Sequence, residues 1–522
     1  MMKIVTVEQM RAVEQRSVQH GVPLDRLQLN AAAAIARETD IILGRRRGPV
    51  LVLAGPGNNG RDGLIAAAIL AEKGRKVRAY LAPRVASEDV LSRLGAAGGE
   101  IARHEQPGGP QQLVRWIRDA SLVVDGLLGI GIAGQTREPM AGIISAADRE
   151  SVANRVPVVA VDLPSGIDAS SGEVHGAAIH ASWTLSLGCV KSGLLRFPAA
   201  EHVGKLLPLE IGLPAESYQG IRTELITPGD VASMLPARPL GGHKGTFGRV
   251  LVVAGSRNFV GAAYLAGGAA ARSGCGLVTL AVPEWQRIAI ASRLPEATYL
   301  PLEESGDRAA ALGNARSIIE TLPDCAALAI GPGLGQGPAQ TELVIDVLAA
   351  AKGVQSLRTV VDADALNALA SEAKWWEKIG RGHVLTPHPG EMSRLIGLPT
   401  AEVNAARWEV AKEAAAKWGQ IVVLKGAFTV VASPDGEVWV SGVALPALGT
   451  AGTGDVLTGL IAGLMAQGLS ESAAARAGVY LHAASAERVL IQSRAETLLA
   501  SDLLPAIPSA IADLRRELKG RV

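Results

Sequence analysis

Short β-branched runs alternate with helical stretches twice along this chain, and that double alternation is what most restricts its fold. In the first series Val50–Ala54, Val77–Leu81, Leu122–Asp125 and Pro157–Asp162 read as strands. In the second, Val250–Ala254, Leu277–Val282, Ala326–Ile330, Thr359–Asp362, Val384–Thr386 and Ile421–Leu424 do. Continuous apolar strands alternating with helices predict parallel sheets buried on both faces. Between about Leu207 and Arg238 the pattern stops, and Pro208, Pro214, Pro228, Pro236 and Pro239 punctuate the gap. A linker near Pro214–Arg222 therefore separates two α/β domains, a count that 522 residues allow. Ahead of the first strand, residues 6–43 read as helix–loop–helix, with Thr6 placed to cap and Asn30 opening an alanine-rich helix.

Charge narrows the function classes. Lys and Arg number 51 against 50 Asp and Glu, so no global field draws the chain to nucleic acid or an anionic membrane, and any anion site is local. No apolar run approaches a membrane span, and the N-terminus lacks the apolar core of a signal peptide. Cys189, Cys275 and Cys325 are odd in number and far apart, which disfavours a disulfide framework or a zinc site. A soluble enzyme of the cytoplasm, acting on small molecules, is expected.

Three strand ends of the first series carry polar loops. Ala54 runs into Gly55-Pro56-Gly57-Asn58-Asn59-Gly60-Arg61-Asp62-Gly63, where glycines admit a ligand to the backbone and helix-start N–H groups favour anions. Asp125-Gly126-Leu127-Leu128-Gly129 ends the second, and Asp162-Leu163-Pro164-Ser165-Gly166-Ile167-Asp168 the third. Ligands of open α/β sheets bind beyond carboxyl strand ends, so the three loops are expected to converge. Singly, Asp125 or Asp162 serves as well for a helix cap; together they favour a site.

These motifs, in this order and spacing, resemble the NAD(P)H-hydrate epimerase domain over roughly residues 1–215, including Asn30 and Lys191-Ser192-Gly193-Leu194. The resemblance implies a Rossmann-like three-layer fold. It also implies a potassium ion (K⁺) among Asn59, Asp125 and Ser165, whose hard oxygens suit it. The hydrated cofactor would meet Asn58, Asn59, Gly60, Arg61, Asp62, the loop Gly129, Ile130, Gly131, Ile132, Ala133, Gly134, Gln135, and Asp162. Expelling and returning a hydroxyl needs an acid and a base, and Asp162 is the expected proton shuttle. Two positions depart from the family pattern. Arg61 stands where glycine is usual, implying either a strained positive φ or a guanidinium for a cofactor phosphate. Ile130 replaces the usual threonine and its hydrogen bond.

The second series carries the strongest motif, Gly449-Thr450-Ala451-Gly452-Thr453-Gly454-Asp455, followed by an apolar helical face of Val456, Leu457, Leu460, Ile461 and Leu464. Amides at such a helix start hold charge developing on a phosphoryl group, and Asp455 is placed to take a hydroxyl proton. The competing reading, a flexible N-cap, leaves three glycines in eight residues without a purpose. Asp362 and Asp364 end one strand, Thr386-Pro387-His388-Pro389-Gly390-Glu391 another, and Lys425 a third. None matches the Walker A spacing.

With His243-Lys244-Gly245 and Gly331-Pro332-Gly333, these segments resemble the NAD(P)H-hydrate dehydratase domain over roughly residues 223–515. That implies a ribokinase-like fold, with Ala262, Gly333, His388 and Asp455 facing the hydrate. Lys425, Gly426, Ala427, Phe428, Thr429 and Gly454 would face the nucleotide. Mg²⁺ would bridge its phosphates, ADP would be the co-substrate as in bacterial-type members, and Asp455 would be the catalytic base. Small-molecule partners (NADHX, NADPHX and ADP) and a homo-oligomer complete the expectation. Two rivals stand beside it: a ribokinase-like kinase yielding a phosphorylated product, and a first domain that only binds.

Overall fold

A computed structural model describes residues 2–131, 134–304 and 308–520. The chain divides into two compact units, from Met2 to Thr223 and from Glu224 onward. No helix among the described residues is long and apolar enough to cross a membrane.

The first unit is built on a seven-stranded, wholly parallel sheet. Its order is Glu100–Arg103, Val77–Leu81, Val50–Ala54, Leu122–Gly126, Val158–Val161, Trp183–Leu187, Lys205–Leu209. Side chains alternate across a strand, and the core records it. Val50, Val52 and Ala54 pack with helices Leu24–Leu43 and Asn58–Glu72, whereas Leu51 and Leu53 pack with Gly109–Asp119 and Met140–Ala153. The sheet is thus covered on both faces. Strand order reverses between Val50–Ala54 and Leu122–Gly126, which opens a crevice at their carboxyl ends. Thr6 caps helix Val7–Gln19 in a capping box with Gln9. Asn30 does not open a helix; it lies inside Leu24–Leu43, whose start follows Pro23, and donates to the Ile211 carbonyl at 2.8 Å.

In the second unit the strands run Thr298–Leu302, Leu277–Pro283, Arg249–Val253, Ala327–Ile330, Arg358–Val361, Val384–Leu385, Ile421–Leu424, all parallel. Antiparallel Val430–Ala432 and Val438–Ser441 follow. Helix Thr453–Ala466 is buried nearly all round, not on one face as its apolar periodicity suggests. Glycine makes that possible: a Cβ on Gly459 would stand 1.9 Å from the Ala266 carbonyl oxygen in helix Val260–Ser273. The three thiols are free; Cys189 and Cys325 are buried and Cys275 partly so.

Candidate active sites

In the first unit the three polar loops meet at the crevice. A cavity of about 660 Å³ there is walled by Asn58, Asn59, Asp62, Gly129, Ile130, Gly131 and Asp162. Gly60 is not on the wall; it packs on Gly55, where a Cβ would lie 1.9 Å from the carbonyl oxygen. Gly134 and Gln135 are exposed and off the wall, and Ile132 and Ala133 lie outside the described residues. The strained positive φ expected of Arg61 is not what the structure holds. Its backbone is helical, within Asn58–Glu72, and its guanidinium pairs with Asp89 at 3.0 Å and Gln28 at 3.2 Å. Helix geometry at this position needs no glycine.

Asp162 occupies the left-handed region at φ 67, a conformation that Asp tolerates better than most residues. The turn aims its carboxylate back at the chain: the Leu187 N–H donates to Oδ1 at 2.9 Å, and Lys191 Nζ forms a buried ion pair with the same oxygen. Lys191 also donates to the Leu187 and Cys189 carbonyls at 2.9 and 3.0 Å. Below the cavity floor, Asp125 is wholly buried. It accepts from Ser165 N–H (2.8 Å), Ser165 Oγ (2.7 Å) and Leu127 N–H (3.2 Å). Burial raises its pKa, the hydrogen bonds from Ser165 and Leu127 oppose that, and no cationic side chain pairs with it among the described residues. Asn59 gives both amide protons away, to the Leu128 and Val161 carbonyls at 3.0 and 2.8 Å, which leaves Oδ1 as an acceptor. A buried carboxylate beside a hydroxyl and a spare amide oxygen fits a monovalent cation.

The second unit gathers its charged groups around the start of helix Thr453–Ala466. Gly452, at φ 89, turns the chain into the helix and no side chain caps it; Thr453 N–H reaches the Thr450 carbonyl at 3.4 Å, and the Gly454 and Asp455 amides stay available. Asp455 makes no cap bond either, which removes the N-cap reading. Lys425 Nζ donates to Asp362 at 2.6 Å and lies 3.7 Å from Glu391. Asp362 is buried and also accepts from Thr458 Oγ1 at 2.6 Å. Burial pushes the Asp455 carboxyl up to about 7; neighbouring Asp362 adds to the rise and Lys425 opposes it. Burial works against the Lys425 charge, yet Asp362 and Glu391 outweigh it and its pKa is raised. A Cβ on Gly454 would come 3.3 Å from Lys425 Nζ, a tight contact with the end of that side chain.

His388 caps helix Pro389–Ile396 while standing at the site. Its Nδ1 accepts the Gly390 and Glu391 N–H groups at 3.0 and 3.3 Å, and its own N–H is taken by Glu391 at 2.7 Å. Nε2 stays half-exposed, and burial and Lys425 lower the ring's pKa. Gly333 is pressed against Ala262, its would-be Cβ 2.9 Å from that methyl. Gly426 to Thr429 form the turn between strands Ile421–Leu424 and Val430–Ala432, with Thr429 Oγ1 bonded to the Gly426 carbonyl at 2.9 Å. Sequence reasoning missed Arg407, which holds this turn from beneath by donating to the Leu424 and Lys425 carbonyls at 3.0 and 3.1 Å. It also missed Glu14 and Gln28 on the wall of the first cavity; no motif surrounds them, and only the folding of two helices brings them there. Among the described residues no cluster of three or more His, Cys, Asp or Glu suits a metal ion by itself.

The family model described as NAD(P)H-hydrate dehydratase matches residues 250–509, and the one described as YjeF-related protein N-terminus matches residues 24–193. The bifunctional NAD(P)H-hydrate repair enzyme of Moorella thermoacetica is 36% identical, the alignment covering 99% of this chain and 98% of that protein. Its counterpart in Thermofilum pendens is 34% identical, over 99% and 98%. Among solved structures, the ADP/ATP-dependent NAD(P)H-hydrate dehydratase of Bacillus subtilis, co-crystallised with ATP and Mg²⁺, is 36% identical. It covers 56% of this chain and 98% of its own, with a TM-score of 0.49.

Proposed function

The chain belongs to the bifunctional NAD(P)H-hydrate repair enzymes, and from that premise we propose which of its residues do the work. It epimerises the R and S hydrates of NADH and NADPH and dehydrates the S form back to the reduced cofactor. The Rossmann-like first half, residues 1–215, carries the epimerase, and the ribokinase-like residues 223–515 carry the dehydratase.

Hydroxide leaves carbon poorly. In the second site the ring hydroxyl attacks the terminal phosphorus of ADP while Asp455 takes its proton, leaving AMP and a phosphorylated ring. The ring nitrogen's lone pair then expels phosphate, and loss of a proton from the neighbouring carbon restores the dihydronicotinamide. The free amides at the start of helix Thr453–Ala466, with Lys425 and Gly426 to Thr429, hold the phosphates. His388, Ala262 and Gly333 position the hydrate. Mg²⁺ carried in on the nucleotide would neutralise developing charge, while both Asp362 oxygens are taken by Lys425 and Thr458. The observation that carries this assignment is Asp455 held near neutrality beside the Lys425–Asp362 pair at an uncapped helix start.

In the first site Asp162, paired with Lys191, serves the proton exchange, and Asn59, Asp125 and Ser165 hold K⁺. A kinase would accumulate a phosphorylated product; repair releases phosphate and recovers the cofactor. Incubating the chain with mixed NADH hydrates, Mg²⁺ and ADP or ATP should return dihydronicotinamide absorbance with release of phosphate. No recovery with either nucleotide would refute the dehydratase assignment.

A further inference from the structure

The first cavity holds more carboxylates than its buried lysine can neutralise. Glu14, Asp62 and Asp162 all line it. Lys191 is fully used, by Asp162 and two carbonyl oxygens. Asp62 has no such partner. It is 6% exposed, and its Oδ1 has no hydrogen-bond partner among the described residues. Arg61, its neighbour in sequence, is turned away to Asp89. A carboxyl oxygen buried without a donor is tolerable when the group carries a proton and costly when it is ionised.

The groups around Asp62 agree. Helix Val7–Gln19 presents Glu14 and Arg11, helix Leu24–Leu43 presents Asp25 and Gln28, Arg61 lies on its own helix, Asp162 stands on the loop after Val158–Val161, and Lys191 ends strand Val190–Lys191. Burial lifts the Asp62 carboxyl to about 7; a side-chain hydrogen bond with Gln28 opposes the rise without reaching Oδ1, Asp162 adds to it, Arg61 opposes and Glu14 adds. Two carboxyls in one cavity with opposed environments are what acid–base chemistry at neutral pH requires.

We propose that Asp62 is the acid that protonates the departing hydroxyl during epimerisation, with Asp162 as the base that receives the proton of the returning water. The assignment rests on the epimerase reading of this unit. The bond from oxygen to the carbon beside the ring nitrogen breaks, its pair going to oxygen, which takes the Asp62 proton and leaves as water. The nitrogen lone pair becomes the iminium π bond. A water then bonds to that carbon from the opposite face, returning the π pair to nitrogen, and gives a proton to Asp162. One pass moves a proton from Asp62 to Asp162; the reverse pass returns it, and one-way flux returns it through cavity water. Lys191 keeps two carbonyl acceptors while Asp162 is protonated.

The test uses the full chain and a single hydrate epimer, without nucleotide, following epimer exchange across neutral pH. The wild-type rate should fall about tenfold per pH unit above the Asp62 titration. Asp62→Asn should lower kcat by about 10²–10⁴-fold and abolish that alkaline limb, with little change in KM. Asp62→Glu should keep the limb and part of the rate, which separates lost chemistry from lost folding. Asp62→Asn exchange within about tenfold of wild type, or an alkaline limb that survives the substitution, would overturn the proposal. Absence of exchange by the wild type at every pH is a different result: it would refute the epimerase reading, and this assignment falls with it.

Discussion

Asp455 and Asp62 are lifted to about the same pKa by the same cause, burial, yet chemistry asks opposite forms of them. A base must be ionised to take the ring hydroxyl's proton. Below about 7 Asp455 is protonated, so dehydration of the S hydrate should fall about tenfold per unit as pH drops below that point and level off above it. Asp455→Asn should cost about 10²–10⁴ in kcat and erase this acid limb while leaving epimer exchange unchanged. A pH profile of initial rates with saturating ADP and Mg²⁺ checks both. Asp455 was legible because a glycine loop before an apolar helix is a rare spacing. The partners that tune it are scattered: Asp362 and Lys425 come from two strand ends and Glu391 from the start of helix Pro389–Ile396, and their ion pairs exist only after the sheet has formed. Lys191 is likewise invisible as the partner of Asp162 until a turn at positive φ brings them together.

At the scale of elements, the strands that were legible are those buried on both faces, since a run such as Val50–Ala54 has no polar interruption. Of those missed, Glu100–Arg103, Lys205–Leu209 and Thr298–Leu302 lie at sheet edges, the first mostly exposed and the last two carrying Pro208 and Pro301, whereas Trp183–Leu187 is interior and buried but interrupted by Thr184 and Ser186. Edge strands tolerate both features, so the pattern that reveals a central strand conceals them. The glycine loops are more demanding than the strands feeding them. Gly60 meets Gly55 backbone to backbone, with no flexible side chain to yield. Gly60→Ala should therefore displace the loop, destabilise the first unit by about 1–3 kcal/mol and abolish epimer exchange. Dehydration of pure S hydrate by the same variant should be unaffected. Denaturant melts and single-epimer assays check the two halves of this expectation separately.

For the whole molecule, the epimerase and the dehydratase share a substrate that is small, soluble and stable enough to leave one site for the other. Fusion guarantees equal amounts of the two activities; nothing in the chemistry requires direct transfer between them. The consequence can be measured with two full-length variants. Asp162→Asn should be able to dehydrate only the S hydrate, and Asp455→Asn only to exchange epimers. Mixed together with ADP and Mg²⁺, they should recover the R hydrate to within about twofold of the wild type's rate when total sites are matched, because diffusion between molecules is far faster than turnover at typical kcat values. Recovery no better than Asp162→Asn alone would mean that the intermediate is handed over within one chain. The same experiment read against pH should show its maximum near neutrality, where protonated Asp62 and ionised Asp455 coexist.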